Sequence, residues 1–246
     1  MSRNSEFLQP IDTENDVFSA PIPPATSGKG HRPHFDLQAY SHEERTKLVQ
    51  RLFLLPGAEA ARMVLFCGVR AEDGSSLVCA RTAGTLASQV KTSVCVVDAN
   101  WRFPSLHESM QTYNDCGLSD AILRLGRIRN IARQMNGGNL WLVTSGTRVS
   151  EPYTLLTSEY LPSRLAELRA DFNYILLDGP PVNPYGDAMM LGKFADGVVL
   201  VLQANSTRRE VARKAKASLE SAGVGVLGAV LNGRTFPIPE FLYNKL

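Results

Sequence analysis

The chain has 246 residues, 44% hydrophobic and 20% charged, with a formal net charge of +2. That length can bury one sizeable core, and the near-balanced charge gives no general case for nucleic acid or for an anionic membrane. No apolar run approaches the roughly 20 residues needed to span a bilayer, and the start MSRNSEFLQP has no apolar signal core, so no direct membrane span and no export are expected.

Residues 1–36 are rich in Pro, Ser, Thr, Asn and Gly and read as a flexible tail or docking arm. The Gly28-Lys29-Gly30 run within it only superficially suggests a phosphate loop, because no strand precedes it and Pro33 blocks an immediate helix. Ser41 followed by Glu43 and Glu44 starts a helix over about 41–55, with Leu48, Leu52 and Leu55 on one face and Pro56-Gly57 ending it. From there the chain alternates. Apolar strands are expected at Met63–Cys67, Ser93–Val97, Leu140–Thr144, Tyr174–Leu177, Val198–Leu202 and Val226–Leu231. Between them the spacing predicts helices over Ser75–Val90, Gly117–Leu125, Glu151–Arg169 with a break at Pro162, and Thr207–Ala222. Strands apolar throughout, each followed by an amphipathic helix, indicate an α/β fold whose mostly parallel sheet is covered on both faces. The four cysteines, Cys67, Cys79, Cys95 and Cys116, have no CxxC spacing and read as core thiols of a reducing cytoplasm.

Open parallel sheets bind ligands beyond the carboxyl ends of their strands. Three such ends carry polar residues here: the run Gly68 to Ser76 leading into a helix, Asp98-Ala99-Asn100-Trp101-Arg102, and Asp178-Gly179-Pro180-Pro181. Each aspartate alone could cap a helix or turn. Together with a helix N-terminus they form the pattern that holds a Mg2+-phosphate group, with amides on phosphate and hydroxyl and carboxylates toward the metal. No His/Cys/Asp spacing suggests zinc, and no Ser or Cys has a nucleophile elbow. The basic run Arg208, Arg209, Arg213, Lys214, Lys216 reads as a solvated helix face or a contact for an acidic partner.

These segments, with the following Pro104-Ser105-Leu106-His107, Gly117-Leu118-Ser119-Asp120, Asn139-Leu140-Trp141-Leu142, Ser145-Gly146, Asp171-Phe172-Asn173-Tyr174, Ala195-Asp196-Gly197 and Leu227-Gly228-Ala229-Val230-Leu231-Asn232, cover roughly 41–234. They resemble the cytoplasmic domain of bacterial tyrosine autokinases, the P-loop kinases that regulate capsule and exopolysaccharide synthesis. The resemblance implies a three-layer P-loop NTPase fold, with helices flanking the sheet, in a kinase domain over 37–235 followed by a short tail, 236–246. It implies ATP and Mg2+ as cofactors, nucleotide contacts from Gly74, Ser75, Ser76, Arg102 and Asn232, and Mg2+ ligands Ser76, Asp98 and Asp178. Asn232 stands where related P-loop ATPases contact adenine. It also implies a cytoplasmic protein, peripheral at the inner membrane through a chain-length regulator or polysaccharide-export component, with self-association through the first helix (Glu43, Glu44, Arg45, Arg51) and no nucleic acid.

The departures from that pattern concern charge. The family's Gly-Glu-Gly-Lys-Ser loop is matched by Glu72, Asp73, Gly74, Ser75 and Ser76, so the lysine is Ser75 and the first glycine is Glu72. Asn100 replaces the second aspartate of the next segment, leaving Asp98 as a vestigial or weak catalytic carboxylate. Gly179 follows Asp178 where the family has Thr or Ser, and the tail 236–246 holds one tyrosine, Tyr243, in place of a cluster. The loss of a hydrogen bond to a charged group costs about 1.5–3 kcal/mol. Arg70, Lys91 and Arg102 are the cations that could substitute. The expectation is a kinase-like regulatory or interaction subunit with weak or absent ATP binding. The alternative is an active autokinase with an atypical phosphate loop. Partition and cell-division ATPases of the broader fold carry a loop lysine and a signature lysine, and neither is present.

Overall fold

The computed structural model describes residues 37–55, 60–124 and 126–233. The expected N-terminal tail, the Pro56-Gly57 helix stop, Leu125 and the tail with Tyr243 lie outside them. In chain order the elements are α1 Leu37–Val49, continuing as one wider π-helical turn over Gln50–Leu54, then β1 Met63–Gly68, α2 Ser75–Gln89, β2 Val94–Asp98, α3 Leu106–Ser109, α4 Leu118–Arg124, α5 Ile128–Ile131, β3 Arg133–Gln134, β4 Leu140–Val143, α6 Pro152–Leu156, α7 Tyr160–Asp171, β5 Tyr174–Asp178, α8 Asp187–Gly192, β6 Gly197–Gln203, α9 Arg209–Ser221 and β7 Val226–Asn232.

The seven strands form one sheet in the order β3-β4-β2-β5-β1-β6-β7. All neighbours are parallel except the two-residue edge strand β3, which runs antiparallel to β4. β1, β2 and most of β5 and β6 are buried along their length, which is why they read as unbroken apolar runs. Their side chains alternate between two cores. Met63, Leu65 and Cys67 join Leu118, Ile122, Leu155, Leu165, Leu191 and Leu219 from α4 and α6–α9. Val64 and Phe66 join Leu48, Phe53, Cys79, Leu86 and Leu106 from α1, its π turn, α2 and α3. The result is the three-layer arrangement that the sequence implies.

Some boundaries differ. Helix 151–169 breaks at 157–159, not at Pro162, which sits in the first turn of α7 where its missing N–H costs nothing. The π turn rotates the end of the first helix so that Leu48, Val49, Leu52 and Phe53 are buried and Leu55 is exposed. The short α3, α5, α8 and β3 were not expected, since two to six residues carry too little periodicity. Burial pushes the Cys67 and Cys79 thiols far up, with the Asp178 charge adding to it, so they pack as neutral apolar groups.

Candidate functional site

The carboxyl end of the sheet brings together the ends of β1, β2 and β5. β5 lies between the other two, and its register sets Asp178 opposite Asp98 on one side and Phe66 on the other. The Ala99 N–H donates to the Asp178 carbonyl at 2.9 Å, extending the ladder one residue past the strand. Both aspartate side chains are completely buried. Asp98 is held by its own loop: Asn100 N–H donates to Oδ1 at 3.0 Å and Leu106 N–H to Oδ2 at 3.1 Å. Burial pushes its carboxyl up to about 7, and these amide donors, with Ser105, moderate the rise. Neither oxygen of Asp178 has a hydrogen-bond partner. Burial, then the Asp98 charge, raises its carboxyl well above the ordinary range; the Ser75 and Ser76 hydroxyls favour the ionised form without reaching bonding geometry.

Two buried acids cannot both ionise without a cation between them. An orphaned buried carboxylate of this kind is a cost that a metal would offset. Ser76, Asp98 and Asp178 supply hard oxygen donors suited to Mg2+, which keeps several waters and phosphate oxygens of its own. In agreement with that partial set, no group of three or more His, Cys, Asp or Glu among the described residues could hold a metal alone. The metal half of the site therefore fits Mg2+.

The phosphate half is different. Gly74 precedes α2 with φ 79°, and a Cβ there would collide with Asn232 Nδ2, so only glycine meets both demands. The first N–H groups of α2 have no intrahelical acceptor, and Gly74 offers no side-chain cap, which leaves an anion-favouring terminus. Ser75 is buried beside it, Ser76 is half-buried, and Glu72 is exposed. None of the three substitute cations is uncommitted at this terminus. Arg70 Nη2 donates to Ser206 Oγ at 2.8 Å and Thr207 Oγ1 at 3.4 Å, and lies 3.6 Å from Asp73 Oδ1. Arg102 clasps Asp187 through Nε (2.5 Å) and Nη2 (3.1 Å) and stacks on Tyr185 at 3.8 Å. Lys91 follows the opposite end of the 15-residue α2, about 22 Å along the axis.

The remaining expected residues serve the loops. The Asn100 Oδ1 accepts the Phe103 N–H at 3.2 Å, a staple rather than a base. Gly179 is fixed by packing, since a Cβ would lie 2.7 Å from Leu65 Cδ1 and 2.9 Å from Cys67 Sγ. Asn232 donates from Nδ2 to the Asp73 carbonyl at 3.1 Å. His107 has its Nδ1 buried without a partner. Thus Gly74, Ser75, Ser76, Asp98 and Asp178 converge, while Arg102 and Asn232 border the site with their donors engaged. Sequence reasoning gave no site role to two residues that shape it, Asp187, which holds Arg102, and Thr207, which bonds Arg70 and Asp73, nor any contact to Asp120 near the next strand end. The Asp120 carboxylate accepts the Gly117 N–H, the Thr147 N–H and the Thr147 hydroxyl, and so ties the start of α4 to the strand end after β4. Its place in Gly-Leu-Ser-Asp was the only available signal; Asp187 and Thr207 had none.

No protein-family model matches the chain. Tyrosine-protein kinase YwqD of Bacillus subtilis is 33% identical over 162 residues, covering 66% of this chain and 68% of that protein. The crystal structure of the chimerical protein CapA2B2 superposes with a TM-score of 0.73 at 25% identity, over 79% of this chain and 85% of the other. The septum site-determining protein MinD of Pyrococcus horikoshii, solved with Mg-ADP, gives a TM-score of 0.59 at 19% identity over 71% and 72% of the two chains, which speaks to the shared P-loop NTPase fold alone.

Proposed function

The chain belongs to the family of bacterial tyrosine-protein kinases, and from that premise we propose that it is a kinase-like subunit impaired in nucleotide use, acting as a regulatory or interaction module in exopolysaccharide or capsule biosynthesis and export. The observation that carries this is the phosphate loop: it ends on the neutral Ser75, while Arg70 and Arg102 are bound to other side chains. A triphosphate entering it meets helix-terminal amides but no compensating charge, with Glu72 adding a negative one nearby. Asn100 cannot take the proton of a tyrosine hydroxyl. When bound, Mg2+ would neutralise phosphate charge, and Ser76, Asp98 and Asp178 are the residues that would hold it. Among the described residues no helix is long and apolar enough to cross a membrane, so membrane association, in this proposal, runs through a chain-length regulator or export component.

Isothermal titration with Mg-ATP tests the proposal. No saturable binding at micromolar concentrations is expected; micromolar affinity would overturn it. The second reading, an active autokinase with an atypical loop, is favoured by the unpartnered Asp178 opposite Asp98, which keeps the metal side serviceable. Phosphate on Tyr243 after incubation with Mg-ATP, read by mass spectrometry, would establish that reading instead.

A further inference from the structure

We infer that Asp73 is the positioning residue of the phosphate loop, held from outside the loop by Thr207 and Asn232, so that the loop stays wrapped without lysine or ligand. This rests on reading residues 68–76 as a phosphate loop. Asp73 is 1% exposed, and a carboxylate so buried must be compensated. Its Oδ2 accepts the Arg70 N–H at 2.9 Å, and its Oδ1 accepts the Thr207 hydroxyl at 3.2 Å. The Thr207 oxygen also accepts the Gln203 N–H at 3.0 Å and lies 3.4 Å from Arg70 Nη2. That uses its one donor and both acceptor positions. The Asp73 N–H returns to the Arg70 carbonyl at 3.3 Å, and the Asp73 carbonyl accepts from Asn232 Nδ2.

A local turn needs only the Arg70–Asp73 pair. Two of the contacts come from 134 and 159 residues away, from the β6–α9 connection and the end of β7. They join three strand ends behind the loop. The Thr207 bond to the Asp73 carboxylate is charge-assisted, about twice as strong as a neutral one, and the Asn232 bond to the Asp73 carbonyl is a neutral one, so the loop's shape depends on Asp73 and on the two groups that hold it.

Amide exchange measured without nucleotide and with chelator tests this, independently of whether Mg-ATP binds. Thr207→Val is expected to accelerate exchange at Arg70 and Asp73 by roughly tenfold, with β1 and β5 amides unchanged. Thr207→Ser, which restores the hydroxyl, should return the native rate. Asn232→Ala, acting through the backbone carbonyl of Asp73, should loosen the same residues and serves if the valine variant does not fold. Unchanged rates at Arg70 and Asp73, or acceleration spread evenly over the sheet, would overturn the inference.

Discussion

Ser75 occupies the first turn of α2 beside the unpartnered Asp178, and a hydroxyl there can donate one neutral hydrogen bond where the family places a full charge. Ser75→Lys would restore a charged donor worth about 1.5–3 kcal/mol, or roughly ten- to a hundredfold in Mg-ATP affinity. Glu72→Gly should add to it by removing a like charge. Calorimetry on the single and double variants checks this; no gain from the double variant would mean that the loop has lost more than charge. Neither variant should phosphorylate tyrosine, because Asn100 stays engaged with Phe103 N–H. At this scale Gly74, Asp98 and Asp178 were legible because each ends an apolar strand or opens a helix. The commitment of Arg102 was not, because its partner Asp187 lies 85 residues away and nothing local marks it.

Individual elements are pinned at the opposite end of the sheet. The last carbonyls of α7 lack intrahelical donors, and Arg62 donates to that of Arg169 (3.0 Å) and, just past the helix, to the carbonyls of Phe172 (3.2 Å) and Asn173 (3.2 Å). Asp196 faces it, accepting the Arg62 and Met63 N–H groups at 2.7 and 2.8 Å and Arg169 Nη2 at 2.7 Å. Partial burial pushes the Asp196 carboxyl up, but Arg169 and the two amides outweigh that and hold it below the ordinary range. Asp196→Asn should cost about 1 kcal/mol, a figure already discounted for solvent screening at a partly exposed site. The midpoint of urea denaturation at pH 7 measures it; an unchanged midpoint would show that Arg62 alone secures this end. Strands such as β1 and β5 could be read from the sequence because burial on both faces demands apolar side chains at every position. The α6–α7 break could not, because Pro162 fits a first turn as well as it ends a helix.

For the whole molecule, the order of the strands sets the pH profile. Separate chain segments give no hint that β5 inserts between β1 and β2, yet that insertion alone brings Asp98 and Asp178 face to face. Both carboxyls are raised, Asp98 from 3.8 to about 7. Below the unfolded value both states hold these protons, and the stability associated with them is fully present. As pH rises through the window from 3.8 to about 7, the unfolded chain releases protons that the folded chain keeps, and stability is lost. Asp196 works the other way, its contribution present above the ordinary carboxyl value and lost only in stronger acid. Metal-free protein should therefore weaken as pH rises from about 4 to about 7. Asp178→Asn removes one charge of the pair and breaks no hydrogen bond, since neither oxygen has a partner. It should flatten that fall and exceed the native chain at pH 8 by about 1–3 kcal/mol. Urea denaturation with chelator, run on both proteins across this range, separates the outcomes. Parallel curves would mean that the loss arises elsewhere in the chain, whereas convergence at low pH and divergence above neutrality would trace it to the two aspartates.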